Sequence, residues 1–250
     1  MTNNNIYFVA NWKMNGRLSL IKRLKKVVIL SNNKKYKKIK IIYCPPFTLI
    51  SKIFDKIKKS KIIIGSQDCS YEENYGPFTG DISPKLIKDI GAKYAILGHS
   101  EKRLKGDTNE IINKKIHAAL KQNLKIILCI GETLKDRKKN KTFFVLKRQL
   151  LSCLKKINNL DNIIVAYEPI WSIGTGVVPL NSILEHDISK IIKFLKLKFK
   201  NQKPKILYGG SVNPKNIIKL KHIANINGFL IGGASLYENK FVDIIKKATI

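Results

Sequence analysis

Acidic side chains are scarce in this chain: 17 aspartates and glutamates stand against 48 lysines and arginines, a formal net charge of +31 at pH 7. That imbalance raises a nucleic-acid or anionic-membrane partner as a first question. The lysines are spread along the chain, however, with no basic arm, no RNA-binding aromatic motif and no zinc-finger spacing. No specific nucleic-acid partner is expected, and the excess reads as a solvated lysine surface. Cysteine is sparse too. Cys44, Cys69, Cys129 and Cys153 have neither C-x-x-C spacing nor nearby histidines, so neither a disulfide framework nor a metal site is expected, and the four read as reduced, mostly buried thiols. Long apolar runs are missing: nothing approaches the roughly 18 to 20 residues of a membrane-crossing helix, so no membrane partner is expected. Met1-Thr2-Asn3-Asn4-Asn5 has no basic n-region, and the apolar run Ile6–Ala10 is too short for a signal segment, which points to a cytoplasmic protein. A GxGxxG pattern after that run is absent as well, against an open dinucleotide-binding sheet.

What is present is a repeated alternation. Short runs rich in β-branched residues recur at Ile6–Ala10, Ile39–Tyr43, Ile62–Gly65, Tyr94–Leu97, Ile126–Ile130, Ile163–Tyr167, Ile206–Tyr208 and Gly228–Ile231. Amphipathic stretches lie between them. Leu18, Ile21, Leu24 and Val28 share one helical face, as do Leu184, Ile188, Ile191, Leu195 and Phe199, with lysines opposite. Strand then helix, repeated, predicts a parallel sheet, and near-continuous apolar strands predict burial on both faces. Eight such units in 250 residues favour closure into an α/β (β/α)8 barrel, a single domain over residues 1–250.

The residues after each strand carry the chemistry, because the C-terminal ends of parallel barrel strands open on one face. Asn11 and Lys13 follow the first, Gln67 and Asp68 the third, His99, Ser100 and Glu101 the fourth, and Glu168 the sixth. Each alone has a structural explanation; gathered on one rim they suggest a site. Gly209-Gly210-Ser211 and Gly232-Gly233 follow the seventh and eighth strands. Bare amides leading toward helix N-termini favour a phosphate, and glycine lets the backbone approach it closely. Between Pro169 and Pro179 runs a loop of small and apolar residues, including Trp171, Ile173, Gly174, Thr175 and Gly176. It reads as a lid whose Trp171 and Ile173 cover a small ligand.

Longer motifs sharpen this. Ala10-Asn11-Trp12-Lys13-Met14-Asn15, Ile96-Leu97-Gly98-His99-Ser100-Glu101, Ala166-Tyr167-Glu168-Pro169-Ile170-Trp171, Ile173-Gly174-Thr175-Gly176, Tyr208-Gly209-Gly210-Ser211-Val212 and Gly228-Phe229-Leu230-Ile231-Gly232-Gly233-Ala234-Ser235-Leu236 resemble the triosephosphate isomerase family, across residues 6 to about 245. The resemblance implies a TIM barrel that interconverts dihydroxyacetone phosphate and D-glyceraldehyde 3-phosphate through an enediolate, in glycolysis and gluconeogenesis, without cofactor or metal. It implies Glu168 as the general base, His99 as the group polarising the carbonyl, and Lys13 and Asn11 as stabilisers of the developing charge, with Glu101 and Ser100 in support. Amides of Gly174, Ser211 and Gly233, with Gly232 nearby, would hold the phosphate. A homodimer is implied, in which the loop Tyr71 to Gly80 inserts into the partner and Thr79 reaches its site. Other phosphate-binding barrel enzymes, such as epimerases, would share the glycine turns but not the Asn-Lys, His and Glu set.

The chain departs from the family at Val177-Val178-Pro179 in the lid hinge, at Asp68, where Asn is frequent, and at Lys102 and Asp81, where Arg and Glu are usual. The family pairs the residues matching Asp81 and Lys102. A shorter acid and a lysine without a guanidinium fork predict a looser dimer.

Overall fold

Residues 5–249 are described by a computed structural model. Met1–Asn4, on which the reading of the N-terminus rests, and Ile250 lie outside the described residues. The eight apolar runs become eight strands: β1 Ile6–Asn11, β2 Ile39–Cys44, β3 Ile63–Ser66, β4 Tyr94–Leu97, β5 Lys125–Ile130, β6 Ile163–Tyr167, β7 Lys205–Tyr208 and β8 Gly228–Ile231. Each lies within a residue or so of its expected bounds. They pair in chain order, all parallel, and β8 pairs back onto β1 to close the barrel. Closure is tight at that seam: Gly228 has φ +147°, and a Cβ there would lie 1.9 Å from the Tyr7 carbonyl oxygen. Only glycine fits.

Side chains alternate between the two faces of each strand. One set, including Tyr7, Val9, Ile42, Cys44, Ile96, Ile127, Cys129, Ala166, Leu207 and Leu230, forms a cluster of its own that fills the barrel. The other set, including Phe8, Ile41, Leu97, Leu128, Val165 and Phe229, packs outward against helices such as Asn181–Lys198. On that helix Leu184, Ile188, Ile191 and Leu195 are all buried, and Phe199 is buried just past its end. All four cysteines are buried free thiols.

The first amphipathic stretch is different. Leu18–Leu24 is a 3-10 helix and only Lys25–Asn32 is α-helical, so a 3.6-residue period does not run through it. Leu18 is 64% exposed, and the buried positions are Leu24, Val27 and Leu30. Among the described residues no helix is long and apolar enough to cross a membrane.

Candidate active site

The alternation that fills the barrel also decides which residues reach its open end. Asn11 continues the interior face after Tyr7 and Val9, Glu168 after Ile164 and Ala166, Gly209 after Leu207, and Gly232 after Leu230. At the C-terminal end of the strands they converge on a cavity of about 710 Å³. Asn11, Lys13, His99, Glu168, Ile173, Gly174, Ser211, Gly232 and Gly233 all line it.

His99 is 4% exposed and caps the short helix Ser100–Leu104, its Nδ1 accepting the Glu101 backbone N–H at 3.2 Å. An imidazole nitrogen that accepts carries no proton, so the ring N–H sits on Nε2. That nitrogen faces Glu168 Oε1 at 3.7 Å. The strand-end pattern thus places a donor and a carboxylate side by side across a gap too wide for a direct hydrogen bond.

Glu168 is 3% exposed, and its Oε2 has no hydrogen-bonding partner among the described residues. Burial pushes its pKa above the ordinary carboxylate range, partly offset by the nearby Cys129 thiol and by the Lys13 ammonium. A buried carboxylate with an unsolvated oxygen is a strong proton acceptor. Room for it exists only because its neighbour is glycine: a Cβ at Gly209 would lie 2.5 Å from Glu168 Cγ.

Lys13 adopts a left-handed backbone, φ +54°, unusual for a side-chain-bearing residue. Its N–H donates to Asn11 Oδ1 at 3.1 Å, and its carbonyl accepts from Gln67 Nε2 at 2.9 Å. The ammonium is held by Glu101 at 2.8 Å. Burial pushes the Glu101 pKa up, but its hydrogen bond with the Lys13 ammonium outweighs this and holds it below the usual range. Lys13 thereby stays at the mouth with its charge over the cavity.

Gly232, also lining the cavity, caps the 3-10 turn Gly233–Leu236, whose first amides have no partner within the turn. The turn after β7 differs from expectation: the next helix, Ile217–Leu220, starts well beyond Ser211, so amides near Ser211 belong to a turn rather than a helix end. The Pro169 to Pro179 loop, read above as a lid, carries Ile173 and Gly174 into the cavity, while Pro169, Thr175 and Gly176 stay outside its lining. Trp171 does not cover the cavity. Its indole N–H donates to Glu132 Oε1 at 3.0 Å, and its ring lies under the Arg137 guanidinium at 5.3 Å. Glu132 is fully buried and is held by Arg137 and Tyr167, with Asp187 bonded to both of these. Trp171 therefore anchors the first turn of this loop.

Two contributions were not legible in the sequence. Cys129 is an ordinary interior strand residue until β6 brings Glu168 beside it, and Gln67, noted only as a strand-end amide, braces Lys13. Ser100 is buried beside Cys129 and Glu168 in a small recess. Within one chain Lys102 pairs with Asp68 at 2.9 Å, and Asp68 also pairs with the buried Lys115. Asp81 instead accepts from Ser70 Oγ at 2.7 Å. Thr79 lies on an exposed segment and does not line the cavity of its own chain.

A family model described as triosephosphate isomerase matches residues 6–248. The chain is 41% identical to the triosephosphate isomerase of Zygosaccharomyces bailii, covering 96% of this chain and 97% of that protein. It is 40% identical to that of Thermodesulfovibrio yellowstonii, covering 96% and 98%. The crystal structure of triosephosphate isomerase from Bartonella henselae is similar to it with a TM-score of 0.88 and 36% identity, over 97% of this chain and 98% of that one.

Proposed function

The chain belongs to the triosephosphate isomerase family, and from that premise we propose a residue-level account of how it interconverts dihydroxyacetone phosphate and D-glyceraldehyde 3-phosphate in glycolysis. Glu168 removes a proton from the carbon beside the substrate carbonyl and returns it to the neighbouring carbon. His99, with its proton on Nε2, donates to the carbonyl oxygen as the enediolate forms, then exchanges the proton between the two oxygens. A neutral histidine paired with a glutamate base is the arrangement for which this family is itself the standard illustration. The Lys13 ammonium and the Asn11 amide stabilise the negative charge that develops on those oxygens. The amides of Gly174, Ser211 and Gly233, with Gly232 beside them, hold the phosphate. Gln67 and Glu101 keep Lys13 in place. The reaction conserves every atom and electron, and the residues named supply its acid, its base and its charge stabilisation.

The observation that carries this reading is the pairing of His99 Nε2 and Glu168 Oε1 at 3.7 Å, a gap that leaves the donor and the acceptor both free to engage a substrate. A coupled assay starting from dihydroxyacetone phosphate, with no metal or cofactor beyond what the coupling enzyme itself needs, tests it. Steady production of glyceraldehyde 3-phosphate is expected; folded protein with no turnover would overturn the reading.

Lid closure isolates the enediolate from water and hinders loss of its phosphate, a gating role that this family itself exemplifies. The protein acts in the cytoplasm, as suits a glycolytic enzyme family. It works as a homodimer. Tyr71, Tyr75 and Phe78 are exposed on the segment leading to Thr79, and Met14 is 95% exposed beside Lys13, an apolar set that a second copy would cover. Because Lys102 is already engaged by Asp68, the dimer lacks a strong bidentate ion pair at this position. Repulsion between two protomers of +31 weakens it further, though salt screens this beyond about 8 Å at physiological ionic strength. Sedimentation should find a dimer that dissociates on dilution more readily at low salt than at moderate salt. A monomer under all conditions would refute the dimer, and insensitivity to both dilution and salt would refute its looseness.

A further inference from the structure

Ser172 ends the 3-10 turn Ile170–Ser172 and is completely buried, yet it carries a hydroxyl. That hydroxyl has one proton, and the nearest acceptor is the Val177 carbonyl, across the lid at 2.6 Å. With its proton committed there, Ser172 Oγ can only accept from the Tyr208 hydroxyl, 3.1 Å away at the end of β7. The Ser211 N–H reaches the same oxygen at 3.5 Å. A second chain runs alongside: the Ser211 hydroxyl donates to the Ser172 carbonyl at 2.9 Å and accepts the Gly176 N–H at 3.1 Å. Both chains tie the far side of the lid to the turn after β7, and both pass through Ser172.

Resting on the isomerase reading above, we propose that Ser172 is a positioning residue whose hydroxyl latches the lid against Tyr208 and so assembles the phosphate end of the site. The physical reason is an asymmetry between the two lid positions. Tyr208 is fully buried and Ser172 Oγ is its hydrogen-bond partner. With the lid down and that oxygen missing, the buried Tyr208 phenol hydroxyl loses its partner; with the lid raised, water can take that place. Removing the hydroxyl therefore penalises the closed lid alone, and closure is what brings Gly174 toward Ser211. Packing does not require the oxygen, since alanine preserves the backbone and the remaining side-chain carbon.

Ser172→Ala, Tyr208→Phe and the double variant, each compared with wild type, test the latch. Ser172→Ala is expected to lower kcat/KM about tenfold and to weaken inhibition by inorganic phosphate by several-fold, as loss of one buried hydrogen bond predicts. Amide exchange at Gly176 should quicken by about the same factor while exchange in the barrel strands stays unchanged. The double variant should be no worse than the poorer single variant, because both hydroxyls act through one bond. Ser172→Ala within twofold of wild type in kcat/KM and Gly176 exchange would overturn the latch, as would losses that multiply in the double variant. A folded wild type without turnover would overturn the isomerase reading instead, while exchange and phosphate affinity would still decide the latch.

Discussion

Glu168→Gln is expected to lower kcat by about 10²–10⁴-fold while leaving the affinity for a phosphate-bearing inhibitor nearly unchanged. The amide has almost the size and shape of the carboxylate but cannot take a proton. The amides proposed to hold the phosphate, at Gly174, Ser211 and Gly233, belong to other residues lining the same cavity. Steady-state kinetics with dihydroxyacetone phosphate, together with inhibitor titration, separate the two effects. Retained turnover would remove Glu168 from its role; lost inhibitor binding would show that the substitution had disturbed the whole site. The same variant should also be more stable at neutral pH. Burial raises the native-state pKa of Glu168, so the native protein binds that proton more readily than the unfolded chain does. Its contribution is favourable when protonated and is lost as pH rises through the raised native value. At neutral pH the buried anion therefore costs stability, and removing it should raise Tm by about 2–4 °C for each kcal/mol relieved. The gain should shrink as pH falls and Glu168 in the wild type becomes protonated. A Tm difference that grows toward acid pH would contradict this sign.

Gly209→Ala is expected to lower kcat by about 10²-fold without touching any residue that handles a proton. Its Cβ would lie 2.5 Å from Glu168 Cγ and 2.8 Å from Oε1, closer than carbon and oxygen can approach. The side chain that gives way is Glu168, the proposed base, and an ångström of misplacement at a reacting group costs about that much. KM should change less, since Ser211 and Gly233 keep their amides. Combining Gly209→Ala with Glu168→Asp tests the cause. The shorter acid vacates the space that the methyl group needs, so the combined loss should be smaller than the product of the separate losses. A full multiplicative loss, or a Gly209→Ala variant with wild-type kcat, would place the need for glycine elsewhere.

The barrel and most of its rim were legible because both follow from short-range rules. β-branched runs mark the strands, two-residue alternation assigns an interior face, and parallel strands of one barrel end on one side. Asn11, Glu168, Gly209 and Gly232 needed nothing more. The rest depends on contacts between segments far apart in sequence. Trp171 looked like a cover because an aromatic residue in a glycine-bearing loop usually is one. Its true neighbours, Glu132 and Arg137, come from the segment after β5, and a buried carboxylate claims the indole N–H. Cys129 became part of the site only through the register that pairs it with Ala166, two residues before Glu168. Leu18 failed for a local reason, since a tighter 3-10 winding rotates successive side chains by a different angle and turns that leucine outward.

The ring of hydrogen bonds that closes β8 onto β1 has a consequence for the chain's fate outside the native state. Segments such as Lys125–Ile130 and Ile39–Cys44 have the isoleucine-rich, proline-free character of amyloid-forming hexapeptides. Folded, none of them offers an open flank to a stranger, because every interior strand and both seam strands are already partnered. Once the ring opens, the lysines are the remaining gatekeepers: like charge keeps denatured chains apart in dilute buffer, and this protection fades as added salt shortens its reach.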